Sequence, residues 1–249
     1  MKIVAFIPAR MGSSRFPGKP MAKIAGKPMI QHVYEGTRGS KLLSETVVAT
    51  CDAEIRDFVE SIGGTAIMTS DRHERASDRC AEALQKLEAM RGETYDVVVM
   101  VQGDEPMTRP EMIDEAVAPF FEDESVRVTN LLGEIRSESE FHDRNVIKVV
   151  CDLQGNALCF SRMAIPTGKP GEGVDSGKQV CIIPFRRDFL LKYLDLAPTP
   201  HEITESVDMM RVLEHGHKVK MVPTKHETYP VDTAEDLRRV EKIMQSAGN

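Results

Sequence analysis

The chain has 249 residues, 41% apolar and 29% charged, a balance that fits one large folded domain or two sharing a core and excludes fibres and disordered tails. Its 32 basic and 39 acidic residues leave a net charge of -7, which argues against nucleic-acid binding and requires any anionic ligand to meet a local basic cluster. Five cysteines without a C-x-x-C spacing suit free thiols in a reducing cytoplasm, and no apolar run approaches the roughly 18 residues of a membrane-spanning helix.

In chain order, short apolar runs at Ile3 to Ile7, Thr46 to Thr50, Ala66 to Met68 and Val97 to Val101 each predict a buried strand. The first ends at Pro8, too short for a secretion signal. Between the runs, Ile55, Phe58, Val59 and Ile62, then Cys80, Ala83, Leu84 and Leu87, fall on single helical faces. This alternation predicts an α/β fold with a mainly parallel sheet flanked by helices, its ligands at the carboxyl ends of the strands. The second half changes character. Strand-like runs follow at 126–132, 146–151, 157–160 and 180–185, with Asp152 to Asn156 as a hairpin turn and the glycine-rich Thr167 to Lys178 as a loop. Helical patterns return at 189–196 and 203–215, then a strand at 219–222 and a closing helix from Ala234. The expectation is a single α/β domain over residues 1–249 with a β-rich subregion at about 126–186.

Three segments carry chemistry. Directly after the first strand runs Ile7-Pro8-Ala9-Arg10-Met11-Gly12-Ser13-Ser14-Arg15-Phe16-Pro17-Gly18-Lys19-Pro20, and residues 1–34 hold Lys2, Arg10, Arg15, Lys19, Lys23 and Lys27 with no acid. Small residues let backbone N–H groups approach phosphate oxygens while Arg and Lys neutralise them, so the segment reads as a triphosphate cradle. It is not a Walker loop, because Gly12 to Gly18 is one residue too long and Pro20 stands where Ser or Thr would touch magnesium. No G-x-G-x-x-G is present, which disfavours a dinucleotide oxidoreductase. Gln102-Gly103-Asp104-Glu105-Pro106 follows the strongest strand and suits either Mg²⁺ held against phosphate or a plain solvated turn. Asp232-Thr233 followed by Glu235 reads, by itself, as helix capping.

Together IPAR-x-x-S-x-R-x-PGKP, QGDEP, FSR-x-x-IP and VDT-x-EDL resemble, in order and spacing, the 3-deoxy-manno-octulosonate (Kdo) cytidylyltransferases. The resemblance implies a nucleotide-diphospho-sugar transferase fold, Mg²⁺ dependence, a homodimer using the β-rich subregion, and transfer of CMP from CTP to the anomeric hydroxyl of a 2-keto sugar acid. It gives Arg10 and Lys19 to the CTP phosphates with Arg15 in support, Asp104 and Asp232 to the metal, and Gln102 to the nucleotide. Backbone groups at Pro8 and Ala9, with Ser77, would read the base. Arg162, Gln179 and Glu205 would meet the acceptor.

Two departures stand out. The family usually has Ser-Gly-Thr before an acid–Arg pair, and this chain reads Arg75-Ala76-Ser77-Asp78-Arg79, where Ser77 alone keeps a hydroxyl. The family's His-Leu-Gly-x-Tyr is here Gln179-Val180-Cys181-Ile182-Ile183, so the imidazole and the glycine are gone. The phosphate and metal residues are intact, which implies a cytidylyltransferase using Kdo or a close analogue. The alternatives are a neuraminate-like or phosphonate acceptor, or a non-catalytic nucleotide-binding regulator.

Overall fold

The computed structural model describes residues 1–12, 16–167 and 176–247. In chain order the strands and helices are β1 (Ile3–Ala9), β2 (Lys23–Ile24), β3 (Lys27–Pro28), α1 (Met29–Arg38), β4 (Glu45–Thr50), α2 (Ala53–Ser61), β5 (Thr65–Met68), α3 (Ala76–Arg91), β6 (Val97–Val101), α4 (Pro110–Val117) and α5 (Pro119–Glu122). There follow β7 (Thr129–Gly133), α6 (Glu138–His142), β8 (Lys148–Cys151), β9 (Ala157–Ser161), β10 (Ser176–Val180), β11 (Ile182–Arg186), α7 (Arg187–Asp195), α8 (Pro200–Glu205), α9 (Met209–Glu214), β12 (Lys220–Thr224) and α10 (Ala234–Ala247). The chain divides into two compact units, Met1–Asp114 with Glu227–Asn249, and Glu115–His226. The second contains the β-rich segment and extends beyond it on both sides.

The first unit is built on parallel strands in the order β6-β1-β4-β5. β1 is buried along almost its whole length and β6 along all of it, so neither shows the alternation of a half-exposed strand. Helices α1, α2 and α3 return the chain between parallel strands, as crossover connections must. All four strands therefore end on the same side, and the loops that leave Ala9, Thr50, Met68 and Val101 share that edge. A separate apolar cluster of Ile24, Met29, Val231 and Val240, flanked by Phe16 and Leu237, packs the closing helix α10 against the loop after β1.

The second unit carries a mixed sheet in the order β12-β7-β10-β8-β9, antiparallel except for the β12–β7 pair. β8 and β9 form the expected hairpin, closed by the Asp152 N–H to the Asn156 carbonyl at 2.8 Å, with Gly155 at φ 74°. Three expectations shift here. The glycine-rich stretch expected as a loop contributes β10 from Ser176, while 168–175 lie outside the described residues. Gly177 sits within that strand because a Cβ there would come 2.5 Å from the Gly133 carbonyl oxygen, so the residue reports close strand approach rather than a turn. The run at 180–185 is broken at Cys181 between β10 and β11. The helical pattern at 203–215 is two helices, because Ser206 adopts φ 52° and turns the chain between α8 and α9. Among the described residues no helix is long and apolar enough to cross a membrane.

Candidate active site

Lys19 opens a single turn of 3-10 helix, Lys19–Met21, entered through Gly18 at φ 73°, a left-handed conformation that glycine adopts without strain. The turn is fixed by the Gly18 N–H on the Met11 carbonyl at 3.0 Å and the Lys19 N–H on the Phe16 carbonyl at 3.1 Å. From it the Lys19 ammonium donates to Asp104 Oδ2 at 2.8 Å and Asp232 Oδ1 at 3.2 Å. All three side chains are mostly buried, with 14%, 24% and 22% of their surface exposed. Burial, the largest influence, works to lower the Lys19 pKa, but the charges and hydrogen bonds of Asp104 and Asp232 outweigh it and hold the ammonium above the ordinary lysine value.

The two acids meet because the Val231 N–H donates to the Asp104 carbonyl oxygen at 2.9 Å, laying the segment before α10 beside the loop after β6. The helix-capping reading of Asp232 is corrected. Thr233 Oγ1 accepts the Asp236 N–H at 3.2 Å, and Asp236 Oδ2 accepts the Thr233 N–H at 3.0 Å, a reciprocal cap that leaves the Asp232 carboxylate for Lys19. Two carboxylates converging on one positive charge fit Mg²⁺, which takes hard oxygen ligands, commonly one or two carboxylates with water and substrate phosphate completing the shell. No group of three or more His, Cys, Asp or Glu that could hold a metal ion occurs among the described residues, so protein ligands alone would leave such a metal under-coordinated.

Around this centre, Gly103 has room for no side chain: a Cβ would lie 2.9 Å from the Pro8 carbonyl oxygen, so the loop after β6 touches the end of strand β1 through backbone. Ala9 is buried, Pro8 and Gln102 are half-buried, and Arg10 is exposed at the end of β1. Arg15 lies outside the described residues. Asp52, just past β4, accepts the Met11 N–H at 2.8 Å and so anchors the basic loop; the rule that singled out the loop after Val101 applies equally to the strand Thr46 to Thr50. In the first turn of α3, Arg79 is buried and donates into the loop after β5, to Thr69 Oγ1 at 2.5 Å and to the carbonyls of Ser70 and His73. Ser77, in the first turn of α3, is fully buried, and its hydroxyl has no protein partner among the described residues.

In the second unit, Glu205 accepts the Ser161 hydroxyl at 2.8 Å and the Arg162 N–H at 2.8 Å, so both carboxylate oxygens are engaged. The Arg162 guanidinium donates to the carbonyls of Glu205, Arg144 and Ser206 at 2.7, 3.0 and 3.3 Å. The turn at Ser206 thus exposes carbonyls that receive Arg162. Lys148 is fully buried and its ammonium donates to the carbonyls of Asp143, Val146 and Arg162, fixing the backbone of Arg162 from the other side. Burial pushes its pKa below the ordinary lysine value. Gln179 donates through Nε2 to Oδ1 of the buried Asn130 at 2.7 Å, and Asn130 Nδ2 donates to the Val180 carbonyl at 2.6 Å. Lys148 and Asn130 were not singled out by sequence; a polar residue inside an apolar strand run is the signal each offered.

Residues 4–221 match a family model described as cytidylyltransferase. The chain is 44% identical over 251 residues to a 3-deoxy-manno-octulosonate cytidylyltransferase from Geobacter metallireducens, covering 96% of each. It superposes with a TM-score of 0.90 and 37% identity on a solved CMP:2-keto-3-deoxy-manno-octonic acid synthetase complexed with CTP, covering 99% of this chain and 100% of that one. A 4-diphosphocytidyl-2C-methyl-D-erythritol synthase from Anaerococcus prevotii, 15% identical with a TM-score of 0.66 over 98% of this chain and 96% of that one, shares the fold.

Proposed function

Since this chain belongs to the 3-deoxy-manno-octulosonate cytidylyltransferases, we propose that it transfers CMP from CTP to Kdo or a close analogue with release of pyrophosphate, using the Lys19, Asp104 and Asp232 centre of its first unit. The observation that carries this reading is the convergence of a basic loop and two carboxylates at the carboxyl edge of a parallel sheet. Arg10 and Lys19 bind the triphosphate, with Arg15 between them in sequence as a further cation. Asp104 and Asp232 would hold Mg²⁺, which would offset charge at the α-phosphorus and lower the pKa of the attacking hydroxyl. Pro8 and Ala9 backbone, Ser77 and Gln102 take the nucleoside, and the unpartnered Ser77 hydroxyl supports a ligand contact there. Arg162, Gln179 and Glu205 serve the acceptor. The Arg162–Glu205 hydrogen bonds make these two a shaped wall rather than free charges, and Gln179 supplies a neutral amide. Catalysis is then positioning and electrostatics without a covalent intermediate.

We also infer a homodimer and a cytoplasmic setting. None of the five cysteines is joined in a disulfide, which suits a reducing compartment. For the dimer, β9 is an edge strand whose Leu158 is 64% exposed, next to a hairpin tip where Leu153 is 97% exposed.

Pyrophosphate release tests the reading, with CTP, UTP or ATP against Kdo, Kdo analogues and a neuraminate. The expected outcome is release that needs both CTP and a Kdo-type acid. Equal use of ATP, or release with no Kdo-type acid in the panel, overturns it.

A further inference from the structure

The Lys19 ammonium already engages both carboxylates proposed to hold the metal. It makes both contacts itself, at 2.8 and 3.2 Å, and links the two carboxylates. A divalent cation bound to these same oxygens would stand in contact with that ammonium, and two like charges do not share one cradle. We propose that Lys19 is an internal counter-ion that holds the Asp104–Asp232 pair closed until a nucleotide phosphate draws its ammonium away, so that the metal enters only with the nucleotide. The proposal rests on the metal-site reading above and adds an order to it.

Three features support this. Lysine carries its charge on a flexible four-carbon stem and can move between carboxylates and phosphate by rotamer change alone. Its backbone is held in the Gly18–Ala22 turn by hydrogen bonds at both ends, the Lys19 N–H to Phe16 and the Ala22 N–H to the Lys19 carbonyl at 3.1 Å, so the ammonium can travel while the loop stays. The two carboxylates are too few to satisfy a divalent cation without oxygen atoms from water or phosphate. A metal alone therefore competes with an attached cation for an incomplete site, whereas a metal with a triphosphate gains ligands and gives the displaced ammonium an anion to bind. The coupling is reciprocal, as linkage requires: metal tightens nucleotide as nucleotide tightens metal.

The test is Mn²⁺ binding to the full chain, read by the loss of the free-ion electron paramagnetic resonance signal, with and without a non-hydrolysable CTP analogue. Wild type is expected to bind Mn²⁺ at least tenfold more tightly with the analogue. Lys19→Met, which removes the competing charge and keeps the stem, is expected to bind Mn²⁺ alone at least tenfold more tightly than wild type does alone. Lys19→Gln serves as a second neutral variant should Lys19→Met fail to fold. Unchanged or weaker Mn²⁺ binding by a folded neutral variant overturns the counter-ion role. Adding Asp104→Asn to the Lys19 variant separates the two readings: loss of the tight site locates the metal at the carboxylates. If Mn²⁺ binding is indifferent to Asp104→Asn in both backgrounds, the metal assignment fails and the proposal fails with it.

Discussion

Glu82 shows how single residues fix the carboxyl edge of the first unit's parallel sheet. Its carboxylate accepts the Ser70 N–H at 2.9 Å, pairs with Lys86 at 2.7 Å, and bonds His73, tying the loop after β5 to α3. Burial works to raise its pKa, but the hydrogen bonds from Lys86, Ser70 and His73 outweigh burial and hold the carboxyl at about 2, below the ordinary 4.5. A depressed carboxylate contributes stability that is present above its unfolded pKa and is lost as pH falls through the folded one. Acid unfolding should therefore show Glu82→Gln less stable than wild type at pH 7, with the gap closing between about pH 4.5 and 2. A gap that stays constant over that window would contradict the assignment. At the same scale, Gly103 and Gly18 each answer a geometric demand, one for close backbone approach and one for a left-handed turn.

At the scale of elements, α8 and α9 are joined by a buried ion pair. Arg211 donates through Nε and Nη2 to Glu202 at 2.7 and 2.6 Å, stacks at 4.7 Å from the Tyr193 ring centroid, and Glu202 is fully buried. Removing one partner leaves the other charge buried, which costs about 3–5 kcal/mol, so Arg211→Met should unfold at markedly lower denaturant. The double variant Glu202→Gln with Arg211→Met should recover a good part of that loss, and a double as unstable as the sum of the singles would sink the pairing argument. How much was legible divides along similar lines. The parallel strands could be read directly because burial on both faces writes an unbroken apolar run, as at Val97–Val101. The break at Ser206 could not, because a serine in the left-handed region carries no local signal and is held by the tertiary bonds of its carbonyl and its neighbour's to Arg162. β10 was hidden because its Gly177 looks like a turn residue until the neighbouring strand is in place. The basic loop and Asp104 were visible as chemistry from sequence. Asp232 entered only through the family resemblance, because its segment by itself reads as helix capping, and it is Thr233 and Asp236 that take the cap between themselves.

For the whole molecule, the residues proposed for phosphate and metal belong to the first unit and those proposed for the acceptor to the second. The proposed dimer is checked at this scale. Leu158→Asp, placing a charge on an exposed edge-strand position, should shift sedimentation from dimer towards monomer without lowering the stability of the second unit. A wild-type monomer at micromolar concentration, or an undisturbed dimer in the variant, would contradict the β9 interface. In the proposed reaction Asp104 and Asp232 jointly activate CTP toward a Kdo-type acid. Phosphorus NMR of CTP, Mg²⁺ and Kdo with wild type beside Asp104→Asn and Asp232→Asn tests it most directly. Wild type should convert the α-phosphate to the phosphodiester of CMP-Kdo with pyrophosphate released. Each variant should keep its fold, because Lys19 retains the other carboxylate, yet turn over more than ~100-fold slower, beyond what the loss of a merely orienting group costs. Near-wild-type formation of CMP-Kdo by either folded variant would rule out a joint role for the two carboxylates.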